Sequence, residues 1–397
     1  MGGAGGSTGG YEGVTGAEYR AAGPTPMRHH RPMRAAVLDQ PGEPLRIEVL
    51  QLDPPGPDEV LVRIEASGVC HSDLHVRDGE WPRATPIILG HEGAGIVEAV
   101  GPGVDPARVG QRVALSWYYP CLRCRACQSG RQWLCAGSGS LQHRQADGTT
   151  RVHRTDGTPV LANLAIGTFA ERTVVPASAA IPMPDGTPPE VAALIGCCVA
   201  TGVGAVTKTA DVPAGASVAI WGLGGVGLSV VMGAVLAGAA RIVAVDREPA
   251  KLDRARELGA TDLVEARADG SATVDAVRSA TAGGPDFAFE AIGLTTTIEQ
   301  ALEVLPPGGT AVLVGLTPFG QRASFDVFPF VDGSRRILGS NYGAAVAAVD
   351  FPAYAELHLA GRLPIDRLVD ERIPLDAIEE AFDAMRAGAG VRRIVVP

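Results

Sequence analysis

Residues Ser217–Gly227 read SVAIWGLGGVG. The first five residues suit a buried strand. They lead into a G-x-G-x-x-G turn built from Gly222, Gly224, Gly225, Val226 and Gly227. A helical run, LSVVMGAVLAGA, comes directly after it, then the strand-like RIVAVD ending at Asp246. On its own such a turn is weak evidence, because Gly-rich turns are common. Between a strand and a helix, its glycines let the backbone approach a pyrophosphate at the helix N-terminus. Asp246 is suited to accept hydrogen bonds from ribose hydroxyls and to repel a 2′-phosphate, which favours NAD over NADP. Arg247 beside it is the opposing feature, since arginine can meet that phosphate. Asp246 also reads as a plain helix cap.

Moving outward, EPAKLDRARELGA is helical, and DLVEA, DFAFEAIG and TAVLVGL supply further strands with helical stretches between them. This alternation predicts an α/β fold with a doubly wound parallel sheet, assigned to residues 199–341. Upstream, EVLVRIEASGV, GAGIVEAVG, GQRVALSW and TFAERTVV are short alternating runs between Gly and Pro, the pattern of a β-rich domain. That domain takes residues 33–198 and, after the pattern turns mixed again, 342–397 with its closing strand RRIVVP. Two domains also suit a chain of 397 residues.

Residues 1–32 are Gly-rich and lack an apolar core, so they read as a disordered tail and not as a secretory signal. His29 and His30 there read as solvated, and Met33 opens the first strand-like run. A net charge of −10 argues against nucleic acid or an anionic membrane as main partner. No uninterrupted apolar run reaches membrane-spanning length; Val226 to Ala240 comes nearest.

Seven cysteines are the strongest compositional signal. Cys121, Cys124, Cys127 and Cys135 are spaced C-x2-C-x2-C-x7-C. With no secretion signal a cytoplasmic, reducing setting is expected, where clustered cysteines point to metal before disulfides. Four thiolates from one loop can enclose a structural zinc; an iron–sulfur cluster is the rival. Cys70 in GVCHSDLH, His91 in GHEGAG and Cys197 in LIGCCVATG are candidates for a second, open site. Each alone also reads as a buried thiol or a core histidine.

Taken in order, GVCHSDLH, HEGAG, the four-cysteine run, GCCVATG and GLGGVG with its Asp resemble the zinc-dependent alcohol dehydrogenases of the medium-chain dehydrogenase/reductase superfamily. The resemblance covers Met33 to Pro397. It implies a GroES-like catalytic domain plus a Rossmann domain, two zinc ions per subunit, NAD, and reversible oxidation of a primary alcohol. It implies catalytic zinc on Cys70, His91 and Cys197, with Cys198 as the competing ligand, and structural zinc on Cys121, Cys124, Cys127 and Cys135.

By the same resemblance Glu92 lies near the metal, and Asp73 orients the zinc-bound histidine. Ser72 and His75 form a proton relay completed by the cofactor ribose. His71, Thr201, Lys251, Ile292 and Arg392 contact the cofactor, His71 and Arg392 at its pyrophosphate. Trp81, Trp117 and Leu164 wall the substrate pocket, which suits small or aromatic primary alcohols. Glutathione-dependent formaldehyde dehydrogenases of the family place an acid at the Trp81 position and an arginine near Gly139; this chain has neither. A nicotinoprotein with permanently bound NAD, a mycothiol-type formaldehyde dehydrogenase and a non-catalytic binding protein are the alternatives. The resemblance also implies a homodimer, joined at an edge strand such as GTAVLVGL, or else a tetramer.

Overall fold

The computed structural model describes residues 30–267 and 270–397. The tail assigned to residues 1–32 thus falls mostly outside the described residues, His29 included. Its last two residues do not belong to a tail. Arg31 and Pro32 open the strand Arg31–Leu38 by pairing with Leu52 and Gln51. Backbone pairing orders them although their side chains carry no strand signal. His30, read as solvated, sets its Nδ1 2.9 Å from Asp53 Oδ1.

The Gly-rich turn sits where its sequence context predicts. Strands Asp262–Glu265, Arg241–Asp246, Ser217–Trp221, Phe287–Glu290, Thr310–Leu313 and Arg336–Gly339 form one six-stranded sheet in that spatial order. All its pairings are parallel. The order reverses between Ser217–Trp221 and Phe287–Glu290, and the turn leaves Ser217–Trp221 beside that switch point, where such sheets bind ligands. Trp221 and Phe289 are fully buried there, as expected of strands covered on both faces.

One strand of this sheet escaped the sequence reading. The run GTAVLVGL supplies Thr310–Leu313, which is flanked on both sides and is therefore not an edge. The edge on that side of the sheet is Arg336–Gly339. Its leading arginine and largely exposed side chains give it no apolar signature.

The rest of the chain is β-rich. A closed barrel runs through Arg31–Leu38, Arg46–Leu52, Val152–His153, Pro159–Ala162 and Ile87–Ile88. A second sheet centres on Glu59–Gly68, which pairs with Glu92–Val100, Arg172–Pro176 and the C-terminal strand Arg392–Val396. The chain end thus returns to the strand that leads into Cys70.

Among the described residues the longest apolar helix is Pro189–Thr209, not the run Val226 to Ala240. Of its most apolar stretch 83% is buried inside the fold, as in a core helix. The helix joins the two halves and contains two π-helical segments, Ile195–Val199 and Ala205–Thr209.

Candidate active site

Glu59–Gly68 ends two residues before Cys70, which caps the helix His71–Arg77 from its N-terminal side. Ser72, Asp73 and His75 therefore ride on one short helix beside Cys70. A side chain at Gly68 would overlap the Glu92 carboxylate where it now lies, so glycine lets that acid pack against the strand end. His91 and Glu92 follow Gly90, whose φ of +85° turns the chain into the strand Glu92–Val100. Cys197 comes from the π segment Ile195–Val199, an irregularity that re-aims a helical side chain.

These three routes converge. Ligating atoms of Cys70, His91, Glu92 and Cys197 all lie within 4.8 Å of one another, and all four residues are buried. Cys197 Sγ is 3.4 Å from His91 Nε2. Tetrahedral zinc with ordinary bond lengths would set such a sulfur and nitrogen about 3.6 Å apart, so the donor set fits that ion. Cys198, the competing ligand, instead directs Sγ to the Leu194 carbonyl at 3.6 Å and stands outside the group.

His91 Nδ1 lies 3.1 Å from Asp73 Oδ1, which also accepts from the Gly90 amide at 2.9 Å and from Asn163 Nδ2 at 3.2 Å. That leaves Nε2 for a metal. Sequence reasoning missed Asn163, which lies 90 positions from Asp73 and carries no local motif.

The electrostatics are those of a cation site. Hydrogen bonding from Cys197 and the Arg392 charge hold the Cys70 thiol well below its ordinary range, while Cys197 is driven up by its Cys70 neighbour and by burial. Burial disfavours a charged His91, but Asp73 and Cys70 outweigh it and raise its affinity for a proton. Burial pushes Glu92 up to about 7. Its Oε1 accepts from Arg392 at 3.0 Å, and its other oxygen is buried with no hydrogen-bond partner among the described residues.

The second cysteine cluster is equally compact. Sγ of Cys124 is 3.6 Å from that of Cys127 and 3.9 Å from that of Cys135. Four sulfurs around zinc stand about 3.8 Å apart. All four lie within 4.8 Å, room for one ion and not for a multi-iron cluster.

Both the open site and the Gly-rich turn face one cleft of about 1400 Å3. Cys70, Cys197, Trp81 and Trp117 line it together with Gly222, Gly224 and Asp246. Gly222 has φ +88°, and Gly224 opens to empty space. Gly227 does not line the cleft; a side chain there would overlap the Gly222 carbonyl, so it serves helix–strand packing. Asp246 accepts from the amides of Leu223 at 2.7 Å and Glu248 at 3.0 Å, bracing the turn as well as facing the cleft.

Gly225, Val226, His71, Ser72, His75, Thr201, Arg247, Lys251, Ile292 and Arg392 also reach the cleft. Arg392, expected at the pyrophosphate, is committed to Glu92 and to the Val69 carbonyl at 2.9 Å. Its buried Nε, unpartnered among the described residues, lies against Gly225 at the helix N-terminus, which fits an anionic ligand there. Arg247 is 70% exposed and pairs with Glu248.

Leu164 does not reach the cleft. It has φ +52° and packs against the buried cluster of Tyr119, Ile166 and Val60, because its amide is held by His143 Nδ1 at 2.9 Å. Two unexpected side chains take part. Tyr342 tilts against Trp117 with ring centres 4.3 Å apart, and Glu80 binds His75.

Residues 56–185 match the model of the alcohol dehydrogenase GroES-like domain, and residues 225–359 that of the zinc-binding dehydrogenases. An alcohol dehydrogenase class-3 of Cereibacter sphaeroides is 36% identical over 373 residues, covering 91% of this chain and 99% of that protein. The chain belongs to the zinc-dependent alcohol dehydrogenases of the medium-chain dehydrogenase/reductase superfamily. Within that family, an S-(hydroxymethyl)glutathione dehydrogenase of Paracoccus denitrificans is 35% identical, covering 91% of this chain and 99% of its own. The crystal structure of benzyl alcohol dehydrogenase from Acinetobacter calcoaceticus superposes with a TM-score of 0.86 at 31% identity, over 92% of this chain and 99% of that one. The GroES-like and Rossmann halves expected from the sequence are thus both present.

Proposed function

We infer that the chain oxidises a primary alcohol, small or aromatic, reversibly to the aldehyde, with NAD as hydride acceptor. The observation that carries this is the meeting, in one cleft, of a buried donor set for a cation with a dinucleotide-type turn. Zinc held by Cys70, His91 and Cys197 supplies Lewis acidity, which lowers the pKa of a hydroxyl ligand towards about 7. The chain's own residues do the rest. Asp73 and Asn163 orient His91. Ser72 Oγ, 3.7 Å from Cys70 Sγ, is within reach of a proton released beside the metal ligands, and His75 follows it on the same helix. Trp81 and Trp117 offer flat apolar walls. Asp246 selects the diol of NAD.

A second reading is oxidation of a thiol–formaldehyde adduct, favoured by the relative from Paracoccus denitrificans. Against it, Trp81 presents no charge. A side chain at Gly139 would also begin 2.7 Å from the Tyr119 hydroxyl, which would have to shift to admit one. None of the seven cysteines is in a disulfide, which suits a cytoplasmic setting. A homodimer would form along the exposed edge strand Arg336–Gly339.

An initial-rate screen tests the reading: ethanol, longer alkanols, benzyl alcohol and formaldehyde, each with NAD or NADP, with and without glutathione or mycothiol. Turnover of free primary alcohols with NAD supports it. Formaldehyde oxidation only in the presence of a thiol would replace it with the second reading.

A further inference from the structure

The side chain that binds His75 stands outside the relay itself. His75 Nδ1 is hydrogen-bonded to Glu80 Oε2. One face of the imidazole stacks on Trp81, centroids 4.7 Å apart at 25°. His71, one turn back, tilts against it at 5.0 Å. The helix Ile378–Arg386, packed on the same segment, brings Glu379 and Arg386, but these are taken up by Arg77 and Asp78. Glu80 is thus the acid that engages the ring. Its own side chain is 47% exposed, while His75 is 16% exposed, and both line the cleft.

We propose that Glu80 is a positioning residue for proton exit, holding the His75 imidazole in the tautomer with Nδ1–H donated to the carboxylate and Nε2 free. A carboxylate can only accept, so the neutral ring must carry its proton on Nδ1. Nε2, which has no hydrogen-bond partner among the described residues, is then the one basic nitrogen. A proton arriving from the cleft binds Nε2, the Nδ1–H bond to Glu80 persists, and the same proton leaves Nε2 to water. The ring need not turn between the two events, and the Trp81 stack keeps it from doing so. Sequence carries little warning of this pair, because an acid five residues after a histidine is a common surface pattern.

The proposal rests on the alcohol dehydrogenase reading for its catalytic consequence, but the tautomer can be measured without turnover. The experiment is 15N NMR of histidine-labelled, zinc-loaded, cofactor-free enzyme at a pH where His75 is neutral, its signal assigned by loss in His75→Gln. Steady-state kinetics accompany it. The wild-type ring should show the Nδ1–H tautomer. Glu80→Ala should move it towards Nε2–H and lower kcat about tenfold or more, with KM within about twofold. Glu80→Gln, whose amide oxygen can accept the same hydrogen bond, should keep the tautomer and most of kcat; it also serves if the alanine variant loses its zinc or fold. A wild-type Nε2–H tautomer would overturn the proposal. So would an alanine variant with unchanged tautomer, whatever its rate. If the tautomer shifts as expected but no alcohol is oxidised by wild type, the pairing stands and the assigned reaction fails.

Discussion

At the scale of single residues, the candidate metal site depends on side chains outside its donor set. Asp73 is fully buried and gathers the His91 ring, the Gly90 amide and Asn163. Asp73→Asn should keep the fold yet weaken zinc binding at this site by about 10- to 100-fold. Chelator titration followed by metal analysis checks this; unchanged retention would mean that His91 is oriented by its packing alone. Asp246→Gly should narrow the preference for NAD over NADP by about tenfold or more, measured as a ratio of kcat/KM values. An unaltered ratio would shift the choice of cofactor to Arg247. Sequence patterns pointed to Asp73 and Asp246 because each belongs to a compact motif. Asn163 and Tyr342 had no such marker, since what they do depends on contacts made across long stretches of chain.

Among elements, the lobe carrying the four-cysteine cluster has its own sensitivity. Burial lowers His143 to about 4, with Arg83 and Arg144 adding to the effect. Its Nδ1 accepts from the Leu164 amide, which requires the neutral ring. The unfolded chain would titrate this histidine near 6.5. Between those values the unfolded state binds more protons than the folded one. The stabilisation is therefore fully present above about pH 6.5 and lost as pH falls through about 4, roughly 3 kcal/mol at most. His143→Gln retains an acceptor without a titrating group. Urea midpoints between pH 7 and 4.5 should fall less steeply for it than for wild type, and parallel curves would contradict the assignment.

The same scale shows where sequence patterns ran out. Ser217–Trp221 and Arg241–Asp246 announce themselves as apolar runs, because both faces of a central parallel strand are covered. The edge strand Arg336–Gly339 has one neighbour and mostly exposed side chains, so no hydrophobic pattern is imposed on it. The π segment that aims Cys197 was equally invisible: it changes hydrogen-bond register, not composition.

For the whole molecule, the exposed edge strand lies in a region that leaves Phe328, Val331 and Val327 62–78% exposed. Unpaired edges and apolar side chains of this kind favour association with a second copy. Wild type should sediment as a dimer and the double variant Phe328→Glu, Val331→Glu as a monomer; a wild-type monomer would remove the edge from consideration. Catalysis as assigned depends on two distinct metal centres in each chain, one closed and one open to the cleft. Metal analysis joined to alcohol oxidation tests this most directly. Wild type should hold two zinc ions per chain. Cys70→Ala should hold one and turn over no alcohol, and Cys124→Ala should lose the other. A wild-type protein with one zinc or none, or a Cys70→Ala variant that keeps both ions and its activity, would contradict the assignment.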